Sequence, residues 1–343
     1  MTTRILQATA ALALFAIAGS ANAQTQLTGA GATFPNPMYR KWFDAYNKLH
    51  PDVQINYNAL GSGAGVKQII EGTVDFGASD MPMADSSLAE FKTKRGNAVL
   101  HFPTVLGAVV PVYNIPSVKQ SLKFTPAALA GIFLGTITKW NDPAIASANA
   151  GVKLPATDIV VAHRSDGSGT TFVWTDYLSK VSPPWAQKVG RNASVNWPVG
   201  IGGKGNDGVA ASVKQTEGAI GYVELIYAVQ NNISYGQVQN ASGEFVNASL
   251  ASVSAAAAGA AANMPEDFRV SITNAPGKGA YPISSFTWLL VPSKIQDASK
   301  RKVIVDFLKW MIADGQGMTE ALQFAKLPAA VVAKESKAIA KIQ

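Results

Sequence analysis

The chain has 343 residues, no cysteine, three histidines and a formal net charge of +7. The lack of cysteine excludes disulfide bonds, zinc–thiolate sites and a cysteine nucleophile, so stability must come from a large hydrophobic core. A basic balance can suit nucleic acid, a membrane surface or an anionic ligand, but the sequence has no Lys/Arg run typical of nucleic-acid binding, so we expect no nucleic-acid partner.

The N-terminal segment has the features of a secretion signal. Arg4 precedes an apolar run over residues 10–18 that is too short to span a bilayer, and the segment ends in Ala21-Asn22-Ala23, an A-x-A cleavage pattern. We therefore predict a signal peptide over residues 1–23, cleavage after Ala23, and export of a chain that begins at Gln24. About 320 residues would remain, which is enough for two domains.

Three β–loop–α units follow the leader. Apolar spacing predicts strands over 27–34, 53–60 and 74–78 and helices over 38–50, 66–71 and 84–95, with a flexible glycine-rich loop over 61–65. This repeat predicts an open α/β sheet, in which ligands bind at the carboxyl ends of the strands. Polar or amide groups follow those ends at Thr33, Phe34, Ser62 and Asp80.

The rest of the chain continues as α/β. We predict strands over 105–114, 159–162, 219–227 and 283–291, a glycine-rich loop over 200–208, and helices over 125–134, 172–180, 209–214, 250–263 and 299–311. The chain is expected to cross between two lobes and return. One lobe would hold residues 24–105 and 282–343 and the other 106–281, with a ligand cleft between them and hinges at the crossings.

The run from His163 to Thr171, HRSDGSGTT, concentrates polar groups. Its glycines let successive backbone N–H groups point into one concavity, its hydroxyls add donors, and Arg164 adds a planar fork that matches oxyanions. A helix that starts at Thr170 would add its N-terminal amides and dipole. The run therefore predicts a site for a small, multiply charged oxyanion.

Six motifs occur in the order of a known family, at residues 28–35, 61–63, 74–80, 164–171, 202–208 and 218–224. In these motifs the chain resembles the periplasmic phosphate-binding proteins of phosphate-specific ABC transporters, the PstS family. The resemblance spans nearly the whole chain after the leader. It implies a two-lobed type II periplasmic-binding-protein fold, with no catalysis, cofactor or metal.

The resemblance also implies a set of ligand contacts. They are Thr33, the amide of Phe34, Ser62 and Asp80 from one lobe, and Arg164, Ser168, Gly169 and Thr170 from the other. Asp166 matches a family carboxylate that pairs with the arginine, and His163 stands where the family often has a second basic residue. The family-like residues with no implied ligand contact, expected to shape a loop or helix start, are Lys204, Asn206 and Asp207.

These residues also have purely structural interpretations, which the sequence leaves open. Asp166, Ser168 and Thr170 could serve simply as helix caps, and Ser62 could lie in a flexible turn. Thr33 and Phe34 could form a turn at a strand end, with Phe34 as a core residue. Five tryptophans are expected in the core, namely Trp42, Trp140, Trp174, Trp185 and Trp197. The three histidines are expected to have no special role.

Asp80 is the unusual member of the predicted site, because a carboxylate repels an anion. Phosphate at neutral pH keeps at least one proton, which a carboxylate can accept. Sulfate has no such proton, so its oxygen would face the carboxylate lone pair to lone pair, at a cost of roughly several kcal/mol. We therefore predict that Asp80 selects a protonated oxyanion.

The resemblance implies a monomeric periplasmic protein that delivers inorganic phosphate to a membrane permease with its ATPase. Alternatives are a binding protein for sulfate, molybdate or a phosphonate, a phosphatase, or a surface adhesion protein that retains phosphate binding. No G-x-S-x-G elbow surrounds Ser62 or Ser168, residues 202–205 do not form a P-loop, and possible metal ligands are few, all of which argues against an enzyme.

Overall fold

A computed structural model describes residues 24–343 of the chain. The predicted signal peptide, with its cleavage site after Ala23, lies outside these residues. In the described part of the chain, no helix is both long enough and apolar enough to cross a membrane.

The strands are β1 Thr25–Gly31, β2 Val53–Ala59, β3 Phe76–Ser79, β4 Val99–Tyr113, β5 Lys123–Phe124, β6 Val160–Arg164, β7 Ile201–Gly203, β8 Ala219–Glu224, β9 Ser234–Tyr235, β10 Gln237–Gln239, β11 Phe245–Val246 and β12 Ser284–Pro292. The helices are α1 Asn36–Leu49, α2 Ser62–Glu71, α3 Asp85–Arg95, α4 Pro126–Phe133, α5 Pro143–Ala146, α6 Gly169–Val181, α7 Pro183–Lys188, α8 Gly205–Gln215, α9 Leu225–Gln230, α10 Leu250–Ala262, α11 Ala298–Ile312 and α12 Ala329–Ile339. Short 3₁₀ turns cover Ser147–Asn149, Asp314–Met318 and Glu320–Leu322.

One continuous sheet runs in the order β2-β1-β3-β12-β4-β8-β6-β7, and β9 adds to β4. At one end β1 pairs in parallel with β2 and β3, and at the other β6 pairs in parallel with β7 and β8. The long strand β4 lies between these two parallel parts and is antiparallel to β12 and β8. A separate small sheet has the order β11-β10-β5.

Strand β4 connects the two halves of the molecule. Its residues 99–108 pair with β12, and its residues 109–113 pair with β8. The chain thus changes partner strand between Ala108 and Val109, close to the predicted crossing. The chain returns through β12, which pairs with β3, and helix α11 then contacts β1. The exact lobe limits stay a prediction.

Burial of aromatic residues accounts for much of the core. Helix α1 turns Met38, Tyr39, Trp42, Phe43 and Tyr46 inward. The other fully buried tryptophans are Trp140, Trp174, Trp185 and Trp288. Of the tryptophans expected in the core, Trp42, Trp140, Trp174 and Trp185 are fully buried, whereas Trp197 is only partly buried.

Three predicted segments were wrong at the places where the site is built. The loop over 61–65 is the start of α2, and the loop over 200–208 contains β7 and the start of α8. The positive φ of Gly61 and Gly205 (+99° and +70°) lets the chain turn sharply into each helix without a flexible linker. The strand expected over 219–227 stops at Glu224, whose carboxylate caps α9 by accepting from the Ile226 amide at 2.9 Å.

Candidate functional site

The predicted site residues all lie at or shortly after the carboxyl end of a strand, where the strand gives way to a loop or helix. In the first half, Thr33 and Phe34 lie in the turn between β1 and α1, Ser62 is the first residue of α2, and Asp80 directly follows β3. These strands are parallel, so their carboxyl ends share one edge. This is the placement that the β–loop–α pattern predicted.

The second half contributes through one strand and the helix that follows it. Arg164 ends β6, Ser168 is the N-cap of α6, and Gly169 and Thr170 are its first two residues. The Ser168 hydroxyl accepts from the Thr171 amide at 3.0 Å, so Ser168 caps the helix. The alternative in which Asp166 is the cap was therefore wrong.

Direct hydrogen bonds join the two halves. The Ser62 hydroxyl accepts from the amides of Asp80 at 3.3 Å and Gly169 at 3.0 Å. The amide of Gly63 donates to the Gly167 carbonyl at 2.9 Å. Most of the predicted residues therefore form one buried polar cluster, with Ser62, Asp80, Arg164, Ser168 and Thr170 each at most 3% exposed.

Arg164 forms a bidentate ion pair with Asp166. Its Nε donates to Oδ1 at 2.7 Å and its Nη2 to Oδ2 at 2.5 Å, while the Gly205 amide also donates to Oδ1 at 3.0 Å. Burial raises the pKa of Asp166, but the hydrogen bonds and charge of Arg164 and the Gly205 amide outweigh burial, so its net pKa is below the usual value. Asp166 is therefore ionised and holds the guanidinium in place.

Asp80 presents a free carboxylate oxygen to this cluster. Its Oδ1 accepts from the Thr287 hydroxyl at 2.8 Å, whereas its buried Oδ2 has no hydrogen-bond partner among residues 24–343. Burial raises the pKa of Asp80 to about 7, although the Thr287 hydrogen bond, the charge of Arg164 and the neighbouring Ser62 hydroxyl oppose this. Near neutral pH the group can therefore hold or accept a proton.

Gly169 is required by close packing against Asp80. A β-carbon at this position would lie 2.5 Å from Ser62 Oγ and 2.6 Å from Asp80 Oδ2. Only glycine lets the start of α6 approach the carboxylate this closely.

Phe34 is a core residue next to Thr33 in the chain. Its ring is fully buried and packs against Phe324, with ring centroids 6.1 Å apart. The core role that we considered for Phe34 is thus present. A predicted ligand contact would have to come from its backbone amide.

Three residues that sequence reasoning did not assign to the site contact it directly. Asn206, on the first turn of α8, donates from its side-chain amide to the hydroxyls of Thr33 and Thr170 at 2.9 and 3.1 Å. Thr287 bonds Asp80, and the Tyr227 hydroxyl donates to the carbonyl of Thr33. The GGKGNDG motif drew attention to Asn206, but nothing in the sequence indicated Thr287 or Tyr227.

The other residues named from the sequence lie at the edge of this cluster or away from it. Lys204 and Asp207 are exposed at the start of α8, as expected for residues that shape a helix start. The ring of His163 stacks on Trp197, with centroids 4.8 Å apart. The buried His101 accepts from the Met83 amide, and burial lowers the pKa of His101 to about 4. Residues 24–343 contain no group of three or more His, Cys, Asp or Glu side chains placed to hold a metal ion.

Taken together, the cluster offers one fixed cation, several hydroxyl and amide donors, and one carboxylate oxygen that needs a hydrogen. A small oxyanion that still carries a proton satisfies both kinds of group.

Comparison with known proteins agrees with this geometry. The PBP superfamily domain model matches residues 16–315. Phosphate-binding protein PstS of Xylella fastidiosa strain Temecula1 is 48% identical over 304 residues, which cover 88% of this chain and 82% of the relative. PstS of Pasteurella multocida strain Pm70 is 44% identical, with 97% of this chain and 94% of the relative covered.

Solved structures of phosphate-binding proteins have a similar fold. A phosphate-binding protein from Stenotrophomonas maltophilia superposes with a TM-score of 0.70 at 20% identity, over 91% of this chain and 93% of that one. The two-lobed type II periplasmic-binding-protein fold that the resemblance implied is thus confirmed. With this fold and these sequence relatives, the chain belongs to the PstS family of phosphate-binding proteins.

Proposed function

We propose that this member of the PstS family binds inorganic phosphate in the cluster that joins its two halves and delivers it to an ABC transporter for import. Relatives of 44–48% identity are named phosphate-binding proteins, which supports the ligand. The observation that carries the proposal is the buried, unpartnered Oδ2 of Asp80 in a cluster that otherwise offers donors. The proposed ligand contacts are Thr33, Phe34, Ser62, Asp80, Arg164, Ser168, Gly169 and Thr170.

In the complex, the protein would offer phosphate several hydrogen-bond donors and one acceptor. Asp166 occupies Nε and one hydrogen of Nη2, so Arg164 would reach the anion with its remaining N–H groups. Hydroxyls and amides at the start of α6 would donate to other phosphate oxygens. Asp80 and the phosphate would share one proton in a short hydrogen bond, whichever of them carried it before binding.

Isothermal titration of residues 24–343 with four anions tests the ligand. We expect binding of phosphate, competition by arsenate, which has the same shape and protonation, and no heat with sulfate or molybdate at about pH 8.

Asp80→Asn should change the phosphate affinity or allow sulfate to bind. The exposed Asp158, which forms an ion pair with Lys139 at the surface, provides the matched control Asp158→Asn, which should bind like the wild type. Heat with sulfate but none with phosphate would overturn the proposal.

The physiological setting is proposed on the same family basis. The chain would work as a periplasmic monomer after cleavage following Ala23, and its partners would be the permease subunits and ATPase of a phosphate ABC transporter. Mass spectrometry of the exported protein should give Gln24 as the first residue.

We also propose that the cleft is not catalytic. Incubation with a chromogenic phosphate monoester should therefore release no phosphate above the rate of a Ser168→Ala variant.

A further inference from the structure

We infer that Asn206 is a positioning residue that makes two threonine hydroxyls, one from each half of the protein, act only as hydrogen-bond donors toward the ligand. The inference rests on the proposed phosphate site and assigns Asn206 a role in it. Asn206 is fully buried, and its side-chain nitrogen bonds Thr33 at 2.9 Å and Thr170 at 3.1 Å. Thr33 and Asn206 are 173 positions apart in the chain.

The orientation of the Asn206 amide follows from its third contact. The backbone N–H of Glu224 points at the Asn206 side chain at 3.0 Å, and an N–H group can only donate. The atom facing Glu224 must therefore be the amide oxygen. The amide nitrogen then faces the two threonines, and its two hydrogens supply one bond to each hydroxyl.

The hydrogen-bond count at each hydroxyl leaves only its proton free. Thr33 Oγ1 accepts twice from Asn206, from the backbone amide at 3.2 Å and from the side chain. Thr170 Oγ1 accepts from Arg164 Nη1 at 3.3 Å and from the Asn206 side chain. A hydroxyl oxygen has two lone pairs and one proton, so both oxygens are saturated as acceptors. Each hydroxyl can then only donate to an additional group.

Because both hydroxyls can only donate, they determine which ligand atoms fit beside the two threonines. An unprotonated oxyanion oxygen accepts from both hydroxyls, whereas a ligand N–H or O–H would meet saturated oxygens and lose a buried hydrogen bond. The proton of a bound phosphate is thereby directed toward Asp80 Oδ2, away from Thr33 and Thr170. Asn206 would also link the halves, because Thr33 precedes α1 while Thr170 is the second residue of α6.

A double-mutant cycle on phosphate affinity tests this role. Asn206→Ala in the wild-type background should weaken phosphate binding about 10- to 100-fold, since the hydroxyls regain an unpaired lone pair. In a Thr33→Val, Thr170→Val background the same change should alter affinity by less than about threefold, because the hydroxyls through which it acts are gone. An equal loss in both backgrounds, or no loss in the wild type, would overturn the inference.

A shape-preserving variant guards against misfolding. Asn206→Asp keeps the oxygen that accepts from Glu224 but presents an acceptor to the two hydroxyls, which would then donate to it instead of to phosphate. We expect a larger loss of affinity than with alanine. The added charge acts in both backgrounds, so only the hydroxyl-dependent part disappears in the double-valine chain. A loss that is unchanged in that chain would contradict the role.

Asn240 provides a matched control. It is a buried asparagine whose side chain has five hydrogen-bond contacts, compared with three for Asn206. The Asn240 side-chain oxygen accepts from the amides of Ser242 and Glu244, and its nitrogen donates to the Glu244 carboxylate and to the carbonyls of Gly277 and Ala280. Asn240→Ala should lower the thermal midpoint and leave phosphate affinity unchanged. Titration of the wild type distinguishes the proposed function from the role of Asn206. Failure of the wild type to bind phosphate refutes the proposed function. Wild-type binding combined with an additive cycle refutes only the role of Asn206.

Discussion

Replacing Asp80 with asparagine should remove a pH dependence of stability that the buried carboxyl creates. Burial raises its pKa from the ordinary 3.8 to about 7 in the folded protein. Between these values the folded chain keeps a proton that the unfolded chain has released. The stability that this proton contributes is therefore fully present below about pH 4 and is lost as the pH rises to about 7. A shift of about three pKa units corresponds to about 4 kcal/mol.

Urea unfolding of phosphate-free wild type and Asp80→Asn at several pH values between about 4 and 8 measures this effect. Other carboxyls titrate in both proteins, so the informative quantity is the difference between their free energies of unfolding. We expect the wild type to lose up to about 4 kcal/mol relative to the variant as the pH rises across this range. A difference that stays constant with pH would refute a raised pKa at Asp80, and a difference of opposite slope would indicate a lowered one.

Three further predictions concern binding. Gly169→Ala should weaken phosphate binding about 10- to 100-fold by titration calorimetry, because its β-carbon would lie 2.5 Å from Ser62 Oγ; wild-type affinity would contradict the close packing. Arg164→Lys should cost about as much, since an ammonium cannot form the fork with Asp166; a variant that binds normally would show that the fork is unnecessary. Sulfate, rejected at about pH 8, should begin to bind as the pH falls below 7 and protonated Asp80 becomes a donor, whereas Asp80→Asn should show no such onset; wild-type sulfate binding that weakens toward acid pH would argue against this.

The sequence was sufficient for the architecture of the first half and for the edge where the site lies. Periodicity distinguished strands from helices there, and strand ends followed by Thr33, Ser62 and Asp80 could be placed on one edge because parallel strands share their direction. The family motifs then supplied the second half of the site. The resemblance also implied the Arg164–Asp166 ion pair, which is a local contact between residues two positions apart.

The rest depended on contacts that no local pattern encodes. Asn206 reaches Thr33 across 173 positions, and Thr287 reaches Asp80 across 207. Glycine-rich runs at 61–65 and 200–208 suggested flexible loops, but their glycines serve tight turns into helices whose first residues form the site. The strand β8 was predicted too long because apolar residues continue past Glu224 to Tyr227. In the structure these residues begin helix α9, which the Glu224 carboxylate caps.

A crystal structure of residues 24–343 grown with phosphate tests the central claim most directly. We predict one phosphate in the buried cluster, with a phosphate oxygen about 2.5–2.7 Å from Asp80 Oδ2 and others within hydrogen-bond distance of Arg164 and the first amides of α6. The hydroxyls of Thr33 and Thr170 should still contact Asn206. A phosphate bound elsewhere, or in the cluster with Asp80 turned away from it, would contradict the account.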